Sequence, residues 1–117
     1  MVENIIVMFQ KQLNYMKLLK KNVTNMEYMF AFSSIKEIIV KSIDTSNVTS
    51  MEGMFEFQYS LESLDVSHFN TSKVTDMSCM FKSTGYNSEN FTLDVSSFDT
   101  SNVTDMSYMF NATGSDS

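Results

Sequence analysis

The sequence predicts an α/β fold: a short right-handed solenoid of strand–turn–short-helix repeats with a narrow parallel sheet. Three observations predict it. A nine-residue motif recurs four times, as Asn22-Val-Thr-Asn-Met-Glu-Tyr-Met-Phe30, Asn47-Val-Thr-Ser-Met-Glu-Gly-Met-Phe55, Lys73-Val-Thr-Asp-Met-Ser-Cys-Met-Phe81 and Asn102-Val-Thr-Asp-Met-Ser-Tyr-Met-Phe110, in steps of 25, 26 and 29 residues. An apolar block precedes each of the last three motifs, with alternation at 38/40, 64/66 and 93/95. Asp/Asn-Thr-Ser then joins block to motif in every case.

The strand comes first in each unit. Ile38 and Val40, Leu64 and Val66, and Leu93 and Val95 lie two residues apart, the period at which a strand turns one face inward. The Asp/Asn-Thr-Ser segments that follow are turn formers, because their side chains hydrogen-bond the nearby backbone. A short helix is expected next. Met106, Met109 and Phe110 stand at i, i+3 and i+4, one face of a helix, and Thr104 sits where an N-cap belongs. Thr24-x-x-Glu27 and Thr49-x-x-Glu52 read as capping boxes, and Asp76 and Asp105 fall in the first turn, where a helix favours negative charge. A unit of this length cannot bury its apolar face alone, so neighbours stack and their strands pair in parallel.

The organisation follows from the repeat. Residues 1–21 form an N-terminal cap, either a helix with Leu13, Met16 and Leu19 on one face or an eroded repeat. Residues 22–110 form the tandem-repeat solenoid and 111–117 a polar C-terminal tail. The three extra residues between the third and fourth motifs fall around 83–90 and are read as a bulging loop.

The runs Leu61-Glu-Ser-Leu-Asp-Val-Ser-His-Phe-Asn-Thr-Ser-Lys-Val-Thr-Asp-Met-Ser-Cys-Met-Phe81 and Leu93 to Phe110 resemble the BspA-like leucine-rich repeat, a bacterial surface-protein repeat of about 26 residues. The resemblance covers residues 22–110. It implies a leucine-rich-repeat-like fold, a cell-surface or secreted location, and a role in adhesion or protein binding, with no catalytic residues to carry over.

Composition narrows the function. No run approaches the roughly 20 apolar residues of a membrane helix, so no membrane span is expected. The N-terminus has an apolar patch without a basic lead or small-residue cleavage site, so a signal or anchor is expected outside these residues. Net charge is −6, with six lysines against three acids in residues 1–41 and two lysines against eleven acids thereafter. An acidic body without arginine argues against nucleic acid as a partner.

The single cysteine, Cys79, and the single histidine, His68, occupy repeat positions held elsewhere by tyrosine or glycine and by serine. Both read as surface drift, so no catalytic residue, no cofactor and no metal site is expected. Asp44, Asn70 and Asp99 share one register and Asp65 and Asp94 another. Turn capping is the favoured role for them over calcium binding. The expected partner is a protein or host-surface ligand, met by the outward residues of the sheet: Glu37, Ile39 and Lys41, then Ser63, Asp65 and Ser67, then Thr92, Asp94 and Ser96. End-to-end self-association through the last repeat is a further expectation, because no capping repeat closes it.

Overall fold

In the computed structural model, which describes residues 23–41 and 43–115, the four motifs run as successive tight turns. Their backbone amides divide into two alternating sets. In the first copy those of Met26, Tyr28, Phe30 and Phe32 donate to the carbonyls of Ser50, Glu52, Met54 and Glu56 in the second. Between them Met29 donates to Met26 and Ala31 to Tyr28, each closing an i to i+3 turn. Met51, Gly53, Phe55 and Phe57 donate likewise to Asp76, Ser78, Met80 and Lys82. Met77, Cys79, Phe81 and Ser83 then donate to Asp105, Ser107, Met109 and Asn111. Parallel bridges at Asn25, Ser50, Asp76 and Asp105 keep one register through all four copies.

This path needs a left-handed residue twice in each copy. Tyr28 and Phe32, Gly53 and Phe57, Cys79 and Ser83, and Tyr108 and Ala112 all have φ between 55° and 60°. The conformation costs an L-residue about 1–2 kcal/mol, and the bonds between copies offset it. Gly53 is needed for a second reason: a Cβ there would stand 2.1 Å from Cε1 of Tyr28, whose ring lies across that position.

The expected α/β solenoid of strand–turn–helix units is therefore overturned. Among the described residues there is no helix. The regular strands are two, β1 (Glu37–Ile38) and β2 (Ser63–Leu64), paired in parallel with Glu37 opposite Ser63 and Ile38 opposite Leu64. No strand forms over 91–95. The described residues form a compact globule with extents of 36 × 35 × 23 Å and a radius of gyration of 13.2 Å.

The physical reason lies in the amides. A helix consumes every amide within its own turn, whereas here alternate amides reach across to the next copy. Thr49, Thr75 and Thr104 do not cap helices; their hydroxyls donate to the carbonyls of Thr24, Thr49 and Thr75 in the preceding copies at 3.2–3.3 Å. The amides of Glu27, Glu52, Ser78 and Ser107 are instead held by the side chains of Asn25, Ser50, Asp76 and Asp105, two residues back.

The core sits between the copies. Phe30, Phe55, Phe81 and Phe110 stack in one column, with centroids 5.6, 5.7 and 5.8 Å apart and ring planes within 11°. Phe69 and Phe98 form a shorter column beside it, 6.4 Å apart and touching Phe55 and Phe81 respectively. Met26, Met51 and Met77 are buried alongside, as are Met54, Met80, Val48 and Val74.

Polar side chains sealed against this core also link copies. Thr45 donates to the carbonyl of Asn70 and accepts its amide, and Thr71 does the same with Asp99. Gln58, Thr84 and Thr113, each three residues after a column phenylalanine, donate to the carbonyls of Phe30, Phe55 and Phe81. The bonding extends into the segment read as a polar tail, since Gly114 donates to Thr84. The region read as a bulging loop also pairs backward, Gly85 with Gln58 and Asn87 with Tyr59. Residues 1–21, read as a cap, lie outside the described residues.

Candidate binding surfaces

Glu37, Lys41, Ser63, Asp65, Ser67, Thr92, Asp94 and Ser96 are all exposed, while Ile39 is half-buried. Ile38, Val40, Leu64 and Val66, which alternate with them, are buried; Leu93 and Val95 are half-buried. Glu37, Lys41, Ser63, Asp65 and Thr92 line one open depression over β1 and β2. Ser67, Asp94 and Ser96 lie outside it. Within it Ser63 Oγ donates to Glu37 Oε2 at 3.4 Å. Beside it Lys36 pairs with Glu62 at 3.7 Å, an exposed contact of little energetic weight.

The carboxylates are fixed by local bonds. Asp44, Asp65, Asp94 and Asp99 each accept the amide of the serine two residues on, at 2.8–2.9 Å. The hydroxyl and then the amide of that serine hold Asp65, Asp94, Asp99 and Asp105 below the usual carboxylate range. Among the described residues, no three histidine, cysteine, aspartate or glutamate side chains group so as to hold a metal ion.

These shifts predict a pH profile. A depressed aspartate contributes stability that is full above its unfolded value, about 3.9, and is lost as pH falls through the folded value. Glu56 has the opposite sign: burial raises its carboxyl, with Lys82 at 4.0 Å partly offsetting. Its penalty is relieved as pH falls through that raised value towards the ordinary glutamate value of about 4.3. Thermal melts followed by circular dichroism are expected to show stability rising slightly on mild acidification and falling below about pH 4. Glu56→Gln is expected to remove the rise and keep the fall. A monotonic decline in the unsubstituted chain rejects the role of Glu56.

Cys79 and His68 are poorly set for nucleophilic chemistry. Burial, and then the charge of Glu56, push the Cys79 thiol up, opposite to what an attacking thiolate needs. His68 is exposed, its ring edge-on to Phe69 at 5.0 Å.

A second surface escaped the sequence reading. Phe32, Phe57, Tyr59 and Tyr86 form a continuous aromatic strip, with successive centroids 5.1, 5.6 and 6.0 Å apart. Phe32 is 58% exposed and Tyr59 42%. Lys82 Nζ lies 5.6 Å from the Phe57 centroid and 5.7 Å from that of Tyr108. At the start of the strip Tyr28 stacks on Phe32 at 6.5 Å, and burial, with Glu52 next, pushes its hydroxyl up to about 12. The available signal was the Phe-x-Phe spacing of Phe30/Phe32 and Phe55/Phe57, in which only the first ring of each pair is fully buried. Among the described residues no helix is long and apolar enough to cross a membrane.

Copies bonded in register, each too short to enclose a core, define a tandem-repeat protein whose open surfaces are a polar face and an aromatic strip. The chain belongs to the family described as Mycoplasma protein of unknown function, DUF285, whose model matches residues 1–115. No curated protein and no solved structure matches it.

Proposed function

We propose that the chain is a non-catalytic, cell-surface or secreted repeat module of the BspA-like kind, binding a protein or host-surface ligand through the polar face. One observation carries this reading: Glu37, Lys41, Ser63, Asp65, Ser67, Thr92, Asp94 and Ser96 are all exposed while the apolar residues between them serve the core. The serines, threonine and aspartates of this face are short, and Asp65 and Asp94 are already held by local bonds, so little side-chain freedom is lost on contact. The acidic balance of the body disfavours nucleic acid.

The test uses beads coated with the chain and a cultured animal-cell monolayer. Asp65→Asn with Asp94→Asn removes two charges while keeping an oxygen to accept the serine amides. Retention of the beads is expected to fall at least about tenfold, as the loss of charged hydrogen bonds implies, with the melting temperature nearly unchanged. Equal retention of both chains sinks the assignment of this face. A second reading, a structural spacer or self-assembling part of a larger surface protein, draws on the exposure of Met106 and Phe110 in the fourth copy.

A further inference from the structure

We propose that the outer edge of the fourth copy is a docking site for a second copy of this chain, added head to tail. At each internal junction four alternate amides of one copy donate to four alternate carbonyls of the next. In the fourth copy the equivalent amides, those of Met106, Tyr108, Phe110 and Ala112, have no acceptor among the described residues. At the opposite edge the equivalent carbonyls, those of Asn25, Glu27, Met29 and Ala31, accept nothing among the described residues. One edge is a row of donors and the other a row of acceptors. Both keep the spacing and parallel sense of the three junctions already formed.

Apolar surface supports the same pairing. Met106 is 44% exposed and Phe110 50%, whereas Met77 and Phe81, which hold the same positions one copy earlier, are fully buried. Phe110 stacks on Phe81 at 5.8 Å, continuing the column to its exposed end.

A second copy is the fitting occupant because an ordinary extended strand lacks the recurrent left-handed residues that set this carbonyl spacing. Two unlike surfaces joined in this way make a heterologous contact, which continues beyond a pair instead of closing on itself. An exposed row of amides is in addition a standing template for pairing with another chain.

Analytical ultracentrifugation of the 117-residue chain over a micromolar to millimolar series tests the proposal. The weight-average mass is expected to rise past twice the 13.4 kDa of one chain. Met106→Lys with Phe110→Glu changes two exposed side chains and is expected to weaken association at least about tenfold, as loss of a buried apolar anchor implies. Amide hydrogen exchange of the unsubstituted chain supplies an independent reading: Met106, Tyr108, Phe110 and Ala112 are expected to gain protection on assembly. A monomer at millimolar concentration overturns the proposal. So does association that stops at a dimer, which means two identical edges have met, or an assembly in which those four amides stay unprotected.

Discussion

Replacing Phe55 with alanine is expected to lower the unfolding free energy by about 4 kcal/mol, near the upper part of the range for large-to-small core changes. Phe55 is fully buried and occupies the middle of the four-ring column, 5.6 Å from Phe30 and 5.7 Å from Phe81. It also meets Phe69 of the second column at 6.3 Å. Alanine there opens a void touched by three copies at once, and the bonds that hold those copies at fixed spacing resist its collapse. Total stability for a domain of this size is on the order of 5–15 kcal/mol, so this variant sits close to unfolding. Phe110→Ala, at the half-exposed end of the same column, is expected to lose less than about 1.5 kcal/mol. Urea titration followed by circular dichroism compares the two. Similar losses at Phe55 and Phe110 would show that the column is not the centre of the core.

The second large effect is expected from Thr71→Val, at about 2–3 kcal/mol. Valine keeps the shape of threonine, so the change isolates the hydroxyl. That hydroxyl is 1% exposed with its residue; it donates to the carbonyl of Asp99 at 3.0 Å and accepts the amide of Asp99 at 2.8 Å. Removing it leaves the amide and carbonyl of Asp99, in part-buried surroundings, without their partner, which is worse than never having formed the bonds. Thr100 holds the same position in the next unit and is exposed. Thr100→Val is therefore expected to stay within about 0.5 kcal/mol. If both substitutions cost the same, the threonine link between units is not what stabilises the junction.

The register of the copies is legible in the sequence, since Val, Thr, Met, Met and Phe recur at fixed offsets and the bridges at Asn25, Ser50, Asp76 and Asp105 fall at one position of that motif. The exposure of the eight polar residues is legible for the same kind of reason. Ile38, Val40, Leu64 and Val66 alternate with them and turn inward. The conformation of the motif is not. Met106, Met109 and Phe110 have helical spacing, yet the same spacing satisfies a path of turns. What separates the two is the destination of each amide, and side-chain polarity does not encode it. A cue exists one residue after each threonine. Asn25, Ser50, Asp76 and Asp105 are residues that compete with helix for the backbone, and they hold the amides two places on. The third strand fails where the three extra residues precede it, and Leu93 and Val95 stay half-exposed. The aromatic strip goes unread because Phe57 and Phe55 are chemically alike, and only the left-handed backbone at Phe57 sends its ring outward.

Every bond between neighbouring copies among the described residues joins positions 24 to 32 apart. The amides of Met26, Tyr28, Phe30 and Phe32 therefore meet their acceptors only once the second motif has cleared the ribosome exit. Loop closure must be met before any junction forms, so the first junction is the slow event and each later one adds to a surface already in place. A single excised motif of about 26 residues, having lost both neighbours, retains only its i to i+3 turns, which are too weak to hold a shape in water.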